Sequence, residues 1–394
     1  LCLHRAGRTA YSVTPQTASA VDVLLVTCFW YQDAYRLEAF LRDSGLLNRQ
    51  RGKPWVIVGG IQATMAPWSF TMMADFVFIG DADDHLGAIL DDIEQAGEPS
   101  SPFLMTRESA TIPEPAICQP SAFFIRKGGR RGVVRIEIAR GCRFKCAFCA
   151  LSAIKPYAEV PSAEVIGLLP QFKGRRCSLF APERLYHSGW TDIRAAVVAN
   201  GIADSGQDAR LEHLTAIGDG GSVTTGIEGL SEKLRRSIGK PFSDQFIIDK
   251  LGEFVKSRKS IARVSAYWIA DLPGEGEDDW ESFGHLLGLI EAQEWSRWLV
   301  LNPILNPLSP KRMTPLQDAI VHPFRDYDSI WRASLRRDGG RWGFRIAESF
   351  VFGPLDRVFD VLVQRGGREA YSLIRRLPRN LLVGRPGKTD RAAI

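Results

Sequence analysis

The strongest constraint on the fold is a series of short apolar runs of strand length, several of which end at glycine. Three such runs occur in the first 110 residues, at 21–26, 55–58 and 76–79, and the last two stop at Gly59-Gly60 and Gly80. Residues 35–46 carry apolar side chains at helical spacing. Buried strands that alternate with helices are typical of a doubly wound parallel sheet, so we predict an α/β domain at residues 1–110.

Gly59 and Gly60 are candidate ligand-binding residues of this domain. In doubly wound sheets, ligands bind beyond the carboxyl ends of the strands. A glycine at such an end lets the backbone approach a ligand closely.

A second series of strand candidates begins after a linker at residues 111–130. Its runs lie at 134–139, 177–181, 214–217, 222–227, 263–269 and 298–305. Helical segments separate them, and Ser243 has the side chain of an N-cap before one of these helices. Six strand-plus-helix units predict a partial (β/α)6 barrel at residues 131–320, with its working face at the carboxyl ends of the strands. For residues 321–394 we predict helices that close the barrel.

The composition is that of a globular protein in which 45% of the residues are apolar and 24% are charged. The 394 residues are enough for two domains with their own cores. No apolar run reaches the length of a membrane span, and the first residues lack the pattern of a secretory signal. These features predict a cytoplasmic protein without a membrane span.

Three of the seven cysteines, Cys142, Cys146 and Cys149, fall within eight residues, directly after the first strand of the second domain. An odd total with this clustering does not fit a secreted disulfide framework. Thiolates at this spacing on one loop can converge on a soft metal centre, and iron–sulfur clusters are normally held by cysteine. Three thiolates would leave one iron of a four-iron cluster open, as a catalytic cluster needs.

Two other interpretations of these cysteines stay open. A structural zinc site would need a fourth ligand, with Cys177, His187 and His213 as candidates. The thiols could also be buried and inert. The zinc interpretation gives a non-enzyme alternative, a zinc-stabilised binding protein.

The C-x3-C-x2-C spacing, with an aromatic residue before the last cysteine, resembles the radical S-adenosylmethionine (SAM) superfamily. The resemblance implies that the three cysteines bind a [4Fe–4S] cluster and that SAM chelates the fourth iron. An electron from the cluster would cleave SAM to methionine and a 5′-deoxyadenosyl radical, which abstracts hydrogen from a substrate. By the same resemblance, Phe148 would pack near the adenine.

Further segments resemble this superfamily in the same order along residues 131–320. Residues 225–241 resemble the fourth-strand motif of the branch related to methylthiotransferases and cobalamin-dependent members, which makes Glu228 a candidate SAM contact. Residues 270–275 resemble a fifth-strand Gly-Leu-Pro-Gly-Glu-Thr motif, but depart from it at Ala270-Asp271 and at Gly276. Residues 302–317 resemble the sixth-strand region. Glu183 stands where an acidic group for the SAM amino group is expected.

The N-terminal domain resembles the one that precedes the radical SAM core in the cobalamin-binding branch, on residues 56–64, Pro67 and residues 75–81. Many cobalamin domains supply an axial histidine after the first strand, whereas residues 27–31 contain none. His85 lies in a different loop, and we interpret it as a surface helix residue. The resemblance leaves open whether cobalamin binds without a protein axial ligand or the domain is a scaffold or a recognition module.

The implied function is that of a radical SAM enzyme that modifies an unactivated carbon of an unknown substrate, with flavodoxin or ferredoxin as reductant. With cobalamin, methyl transfer would be the expected chemistry; without it, isomerisation, fragmentation or carbon–carbon bond formation are all open. A methylthiotransferase is disfavoured because Cys2, Cys28 and Cys118 do not match the pattern of its second cluster.

The basic C-terminal segment raises the alternative of a nucleic-acid substrate in place of a small molecule. Residues 325–394 contain 15 Lys or Arg against 8 Asp or Glu, and include Trp331, Trp342, Phe344 and Tyr371. Arginines would contact phosphates and aromatic rings would stack on bases. A radical isomerase acting on a modified base of DNA or RNA is therefore a further hypothesis. The competing interpretation is that these residues pack inside the predicted helices.

Overall fold

The computed structural model describes residues 10–122, 124–127, 132–218, 222–335, 342, 345–346 and 354–376. It is a mixed α/β protein with several parallel sheets. The chain forms two compact units, and each unit is built from segments that are distant in sequence. The first comprises the described residues within Leu1–Cys118, Ser309–Gln317 and Pro354–Ile394, and the second those within Gln119–Leu308 and Asp318–Gly353.

The first unit contains the predicted parallel sheet. Its strands are Val23–Thr27 (β1), Trp55–Gly59 (β2), Phe76–Phe78 (β3) and Leu104–Met105 (β4), in the order β1-β2-β3-β4. The first three are parallel and β4 is antiparallel to β3. The helices between them are Gln32–Asp43 (α1), Ile61–Met65 (α2), Pro67–Thr71 (α3) and Leu86–Ala96 (α4). The three predicted strands and the helix after β1 are thereby confirmed.

The second unit contains two four-stranded sheets and one two-stranded sheet. Its strands are Phe124–Lys127 (β5), Val133–Glu137 (β6), Ala139–Arg140 (β7), Ala158–Glu159 (β8), Arg176–Phe180 (β9), Ala203–Asp204 (β10), Ser222–Gly229 (β11), Ala262–Ala270 (β12), Leu299–Pro307 (β13) and Arg345–Ile346 (β14). Its helices are Leu151–Ile154 (α5), Ser162–Leu168 (α6), Trp190–Ala199 (α7), Glu232–Ser237 (α8), Asp244–Lys256 (α9), Glu277–Glu291 (α10) and Tyr327–Ser334 (α11). The sheet orders are β10-β9-β6-β5, β11-β12-β13-β14 and β7-β8.

A short segment after β10 connects the two larger sheets. Asp208 pairs with Thr224 of β11 in parallel, and the backbone N–H of Thr224 donates to Gln207 O at 2.9 Å. The parallel strands therefore follow one another in space as β6, β9, β10, β11, β12 and β13. Because neighbouring strands of this series are parallel, their carboxyl ends share one edge. That these strands form a partial (β/α)6 barrel stays a prediction.

One predicted strand was wrong. Residues 214–217 belong largely to a 3₁₀ helix, Leu211–Ala216, in which Leu211 and Leu214 are buried at a spacing of three residues. The strand at this point of the series is instead β10, whose two residues are exposed. Ser243 is confirmed as an N-cap, because its Oγ accepts a hydrogen bond from the N–H of Phe246 at 3.1 Å.

The predicted C-terminal helices divide between the two units. In the second unit, Trp331 of α11 packs against Phe283 and Trp268. The two later helices, Pro354–Arg365 (α12) and Arg368–Ile374 (α13), belong to the first unit, where Phe359, Val363 and Tyr371 join the core. In the described part of the chain, no helix combines the length and the apolar character needed to cross a bilayer.

Candidate functional site

The three clustered cysteines lie on one loop at the carboxyl end of β6, just after the two-residue strand β7. Cys146 is buried, and Cys142 and Cys149 are partly exposed. The N–H of Cys149 donates to Cys146 O at 3.0 Å, which closes a tight turn. The N–H of Ala147 donates to Ile238 O at 3.0 Å and so joins the loop to the end of α8.

Gly141 fixes the path of the chain into this loop. Its φ is +70°, a left-handed conformation that a side chain disfavours. A Cβ atom here would also overlap the carbonyl oxygens of Lys155 and Pro156. The glycine before Cys142 is therefore required by the chain's own backbone.

We expect Gly141→Ala to lower the free energy of unfolding by about 2–5 kcal/mol, as left-handed strain and overpacking combine. Gly174→Ala is the matched control, because Gly174 has the same φ of +70° and open space around its Cα. This variant should lose only about 1–2 kcal/mol. Urea denaturation measures both losses, and equal losses would show that the contact with residues 155–156 is unimportant.

The thiols of the loop have cationic neighbours. Burial raises the pKa of Cys146, and the charges of Lys240 and Arg210 act in the opposite direction. Burial also raises the pKa of Cys142, and the negative charges of Glu183 and Cys149 raise it further. The charge of Cys149 likewise raises the pKa of Cys146. The two cations would favour thiolates once a metal deprotonates them.

Glu228 and the buried Lys240 form an ion pair beside the loop. Lys240 Nζ donates to Gly226 O at 3.1 Å and lies 3.7 Å from Glu228 Oε1. Glu228 sits at a bulge in β11 and has a φ of +78°, which is uncommon for a residue other than glycine. Strained backbone of this kind concentrates at functional sites.

Glu183 faces the same group of residues from the segment after β9. Burial raises its pKa to about 7, while Arg210 and Lys240 lower it. Glu183 also acts on the thiol of Cys142. The structure therefore brings the predicted residues Glu183 and Glu228 together with the cysteine loop.

Two cations of the site had no role in the sequence prediction. Arg210 lies 3.9 Å from the ring centroid of Phe144 and donates from Nη2 to Glu212 at 3.0 Å. It is a lone arginine in a loop, so no sequence signal marked it. Lys240 stood inside the motif that identified Glu228, and it is the residue that ties that motif to the thiols.

Two of the three candidate fourth zinc ligands are engaged elsewhere. Cys177 is fully buried in the core of the sheet that contains β6 and β9. His187 has both ring nitrogens occupied: Nε2 lies 2.9 Å from Val160 O, and Nδ1 accepts from the N–H of Gly189 at 3.0 Å. The ring of His213 packs edge-on against Tyr186.

Within the part of the chain that the structure describes, no three His, Cys, Asp or Glu side chains converge on a position for one metal ion. The loop therefore supplies three soft donors close to one another without a preformed ligand set. The donor types suit an iron–sulfur cluster, because cluster iron prefers cysteine thiolate.

Phe148 lies half-buried in the turn between Cys146 and Cys149. In the first unit, Gly60 has a φ of +98°, and a Cβ there would lie 2.6 Å from Cys28 O. The close approach of β1 to the end of β2 thus accounts for this glycine. A cofactor contact by Gly59, Gly60 or Phe148 stays a prediction.

The prediction that His85 is a surface residue of a helix was wrong. It is the N-cap residue of α4 and not a residue of the helix, and its half-buried ring packs 4.7 Å from that of Phe103. At the end of β1, Phe29 and Trp30 are exposed, and their N–H groups both donate to Asp33.

Two of the four aromatic residues named above as candidates for base stacking are core residues. Trp331 is 1% exposed and Tyr371 is 5% exposed. The indole of Trp342 donates to Leu335 O at 2.8 Å, and Phe344 lies outside the described residues. Trp331 and Tyr371 therefore follow the packing interpretation and do not offer a stacking surface.

No protein-family model matches this chain, and no curated protein matches it. Among solved structures, it is similar to the cobalamin-dependent S-adenosylmethionine radical enzyme OxsB. The form with aqua-cobalamin has a TM-score of 0.46 and 13% identity over 80% of this chain and 49% of that one. The form with aqua-cobalamin and S-adenosylmethionine has a TM-score of 0.47 and 12% identity over 84% and 50%.

The apo, selenomethionine-labelled form has a TM-score of 0.46 and 13% identity over 80% of this chain and 48% of that one. This chain thus spans about half of the length of the enzyme that it matches.

Proposed function

We propose that this chain is a radical SAM enzyme, in which Cys142, Cys146 and Cys149 hold a [4Fe–4S] cluster that binds SAM. One observation carries the proposal: the three-thiol loop, two acidic side chains and two cations meet where parallel strands end. Ligands bind at the carboxyl ends of strands in parallel α/β folds. The engagement of Cys177 and His187 elsewhere favours a three-thiolate cluster over a zinc site.

The other residues of the site suit the charges of SAM. Its amino group is cationic and its carboxylate anionic, and charge-assisted hydrogen bonds to such groups are strong. Glu183 and Glu228 would hold the amino group, and Lys240 and Arg210 would hold the carboxylate. When bound, the cluster supplies the electron that cleaves SAM. The protein's own part is to position SAM and the substrate and to exclude water.

The test is anaerobic reconstitution with iron and sulfide, followed by reduction in the presence of SAM. We expect a brown protein that forms 5′-deoxyadenosine, measured by liquid chromatography with mass spectrometry. A colourless protein with one zinc per chain and no SAM cleavage would contradict the proposal and support the zinc-stabilised binding protein. Flavodoxin and ferredoxin are the proposed reductants, to be compared with dithionite in the same assay.

The reaction after SAM cleavage depends on whether cobalamin binds to the first unit. Bound cobalamin, scored by the visible spectrum of the same sample, would point to methyl transfer, and its absence to a rearrangement or another radical step. We propose a small molecule as the substrate, because Trp331 and Tyr371 are buried and not available for base stacking. A modified base in DNA or RNA would instead give tight, salt-dependent binding of nucleic acid.

A further inference from the structure

Asp271 is a strained, buried acidic residue outside the group of side chains described above. It is the first residue after β12, it is buried, and its φ is +66°. Left-handed backbone is unfavourable for residues with a side chain and is mostly left to glycine. Aspartate adopts this conformation more readily than most residues because its short side chain can form hydrogen bonds, and here those bonds go to His322.

The carboxylate of Asp271 contacts His322 at two points. Its Oδ2 accepts the backbone N–H of His322 at 2.7 Å, and its Oδ1 lies 2.7 Å from the ring Nδ1. A carboxylate beside Nδ1 fixes the tautomer in which Nδ1 carries the proton, so Nε2 has the free electron pair. The His322 side chain is 62% exposed, so this nitrogen is open to a ligand.

A second contact secures the same segment. Arg325 Nη1 lies 3.5 Å from Oε1 of the buried Glu275, which also accepts from the indole of Trp280 at 3.0 Å. The turn after β12 therefore holds residues 322–325 at two separate points.

The position of Asp271 places it at the edge of the sheet that carries the proposed SAM site. In the parallel pair of β11 and β12, Glu228 is opposite Trp268, and Asp271 follows three residues later. Both strands run in the same direction, so their ends share one edge. Ile320 and Phe324, on either side of His322 in sequence, are exposed apolar residues.

We propose that Asp271 and His322 form a proton-transfer dyad that serves the substrate of the proposed radical SAM reaction. Nε2 of His322 accepts a proton from a substrate hydroxyl or amine; the N–H bond forms as the substrate O–H or N–H bond breaks, and the electron pair stays on the substrate. Asp271, the positioning residue, balances the charge of the imidazolium. The exposed neighbours suit a substrate with an apolar portion beside this group.

The test is the rate at which diethyl pyrocarbonate labels His322 in the whole chain, read at neutral pH from the labelled peptide by mass spectrometry. The ring nitrogen attacks the reagent's carbonyl carbon, and ethyl carbonate leaves as ethanol and carbon dioxide. We expect Asp271→Asn to slow the labelling roughly fivefold or more, because an adjacent carboxylate that orients and polarises the ring activates Nε2.

The opposite outcome would overturn the dyad. If Asp271 only ties the segment down, its replacement would free Nδ1 as well, and the labelling would stay the same or become faster. Asp271→Gly, which relieves the left-handed strain, keeps the test available if the asparagine variant does not fold, with the same slowing expected. Arg325→Ala is the matched control: it loosens the same segment without touching the dyad, and the rate should change less than about twofold.

The labelling needs neither cluster nor SAM, so the two proposals fail separately. Absence of 5′-deoxyadenosine in the reconstituted wild type would refute the SAM reaction and leave the labelling result unaffected. Equal labelling of the wild type and Asp271→Asn would refute the dyad even if SAM is cleaved.

Discussion

Cys146→Ala is expected to abolish 5′-deoxyadenosine formation by the reconstituted protein, with a loss of more than about 100-fold. Replacing even an outer partner of a metal ligand typically costs 10–100-fold in metal affinity or activity, and loss of a ligand itself should cost more. Cys146 is the central thiol of the loop and the most buried of the three. The measurements are iron per chain and 5′-deoxyadenosine per chain.

Cys177→Ala is the control for this variant. Cys177 belongs to the same unit, but its side chain lies in the core of the sheet and not on the loop. It should retain iron and SAM cleavage after a small loss of stability. Iron retained at the wild-type level in Cys146→Ala, or lost in Cys177→Ala alone, would contradict the proposed ligand set.

Arg235→Met should give the largest loss of stability, about 3–5 kcal/mol in the free energy of unfolding. The guanidinium of Arg235 is fully buried and donates to Phe242 O at 2.7 Å and to Gly229 O at 3.2 Å. It also pairs with Asp244. Removing the guanidinium leaves two buried carbonyls and a carboxylate without their hydrogen-bond donor, which is costly. Because methionine has a similar volume, the loss should come from these polar groups and not from a cavity.

Arg236→Met is the matched control one residue along. The Arg236 side chain is exposed and its ion pair with Glu232 is at the surface, so the change should cost within about 0.5 kcal/mol. Denaturant unfolding measures both variants. Comparable losses would mean that the buried contacts of Arg235 are not the source of its effect.

The sequence predicted most strands because their cores are continuous apolar runs. β2 is the clearest example, because its four apolar residues are all buried. In β9 and in the first half of β12, buried residues alternate with more exposed ones. The sequence prediction missed the short strands β4, β5, β8, β10 and β14, of which β5 falls in the predicted linker. At β10, two exposed residues, Ala203 and Asp204, carry no hydrophobic signal. The prediction also took residues 214–217 for a strand, because Leu214, Ala216 and Ile217 look like a short apolar run, although the first two belong to a 3₁₀ helix.

The candidate site was predictable where chemistry and spacing coincide in sequence. The three cysteines fall in this class, whereas Glu228 and Glu183 were candidates only through the resemblance to a known family. Arg210 could not be found, because its role depends on tertiary contact with Phe144 and on its charge, which lowers the pKa of Glu183. In the sequence, Asp271 was notable only as a departure from a motif. Its partner His322 lies 51 residues later, so their pairing could not be predicted from local sequence.

The composition of the first unit from three chain segments has a consequence for biosynthesis. Its core requires Phe359 and Val363 of α12, and Gln62 forms a buried amide pair with Gln364. The helix α12 is near the end of the described chain. The sheet β1–β4 can therefore complete its core only after almost all of the described chain has left the ribosome. By then the strands of the second unit, which lie between these segments, are already outside the ribosome. We thus expect the half that is translated first to be completed last, and to need protection from aggregation in the interval.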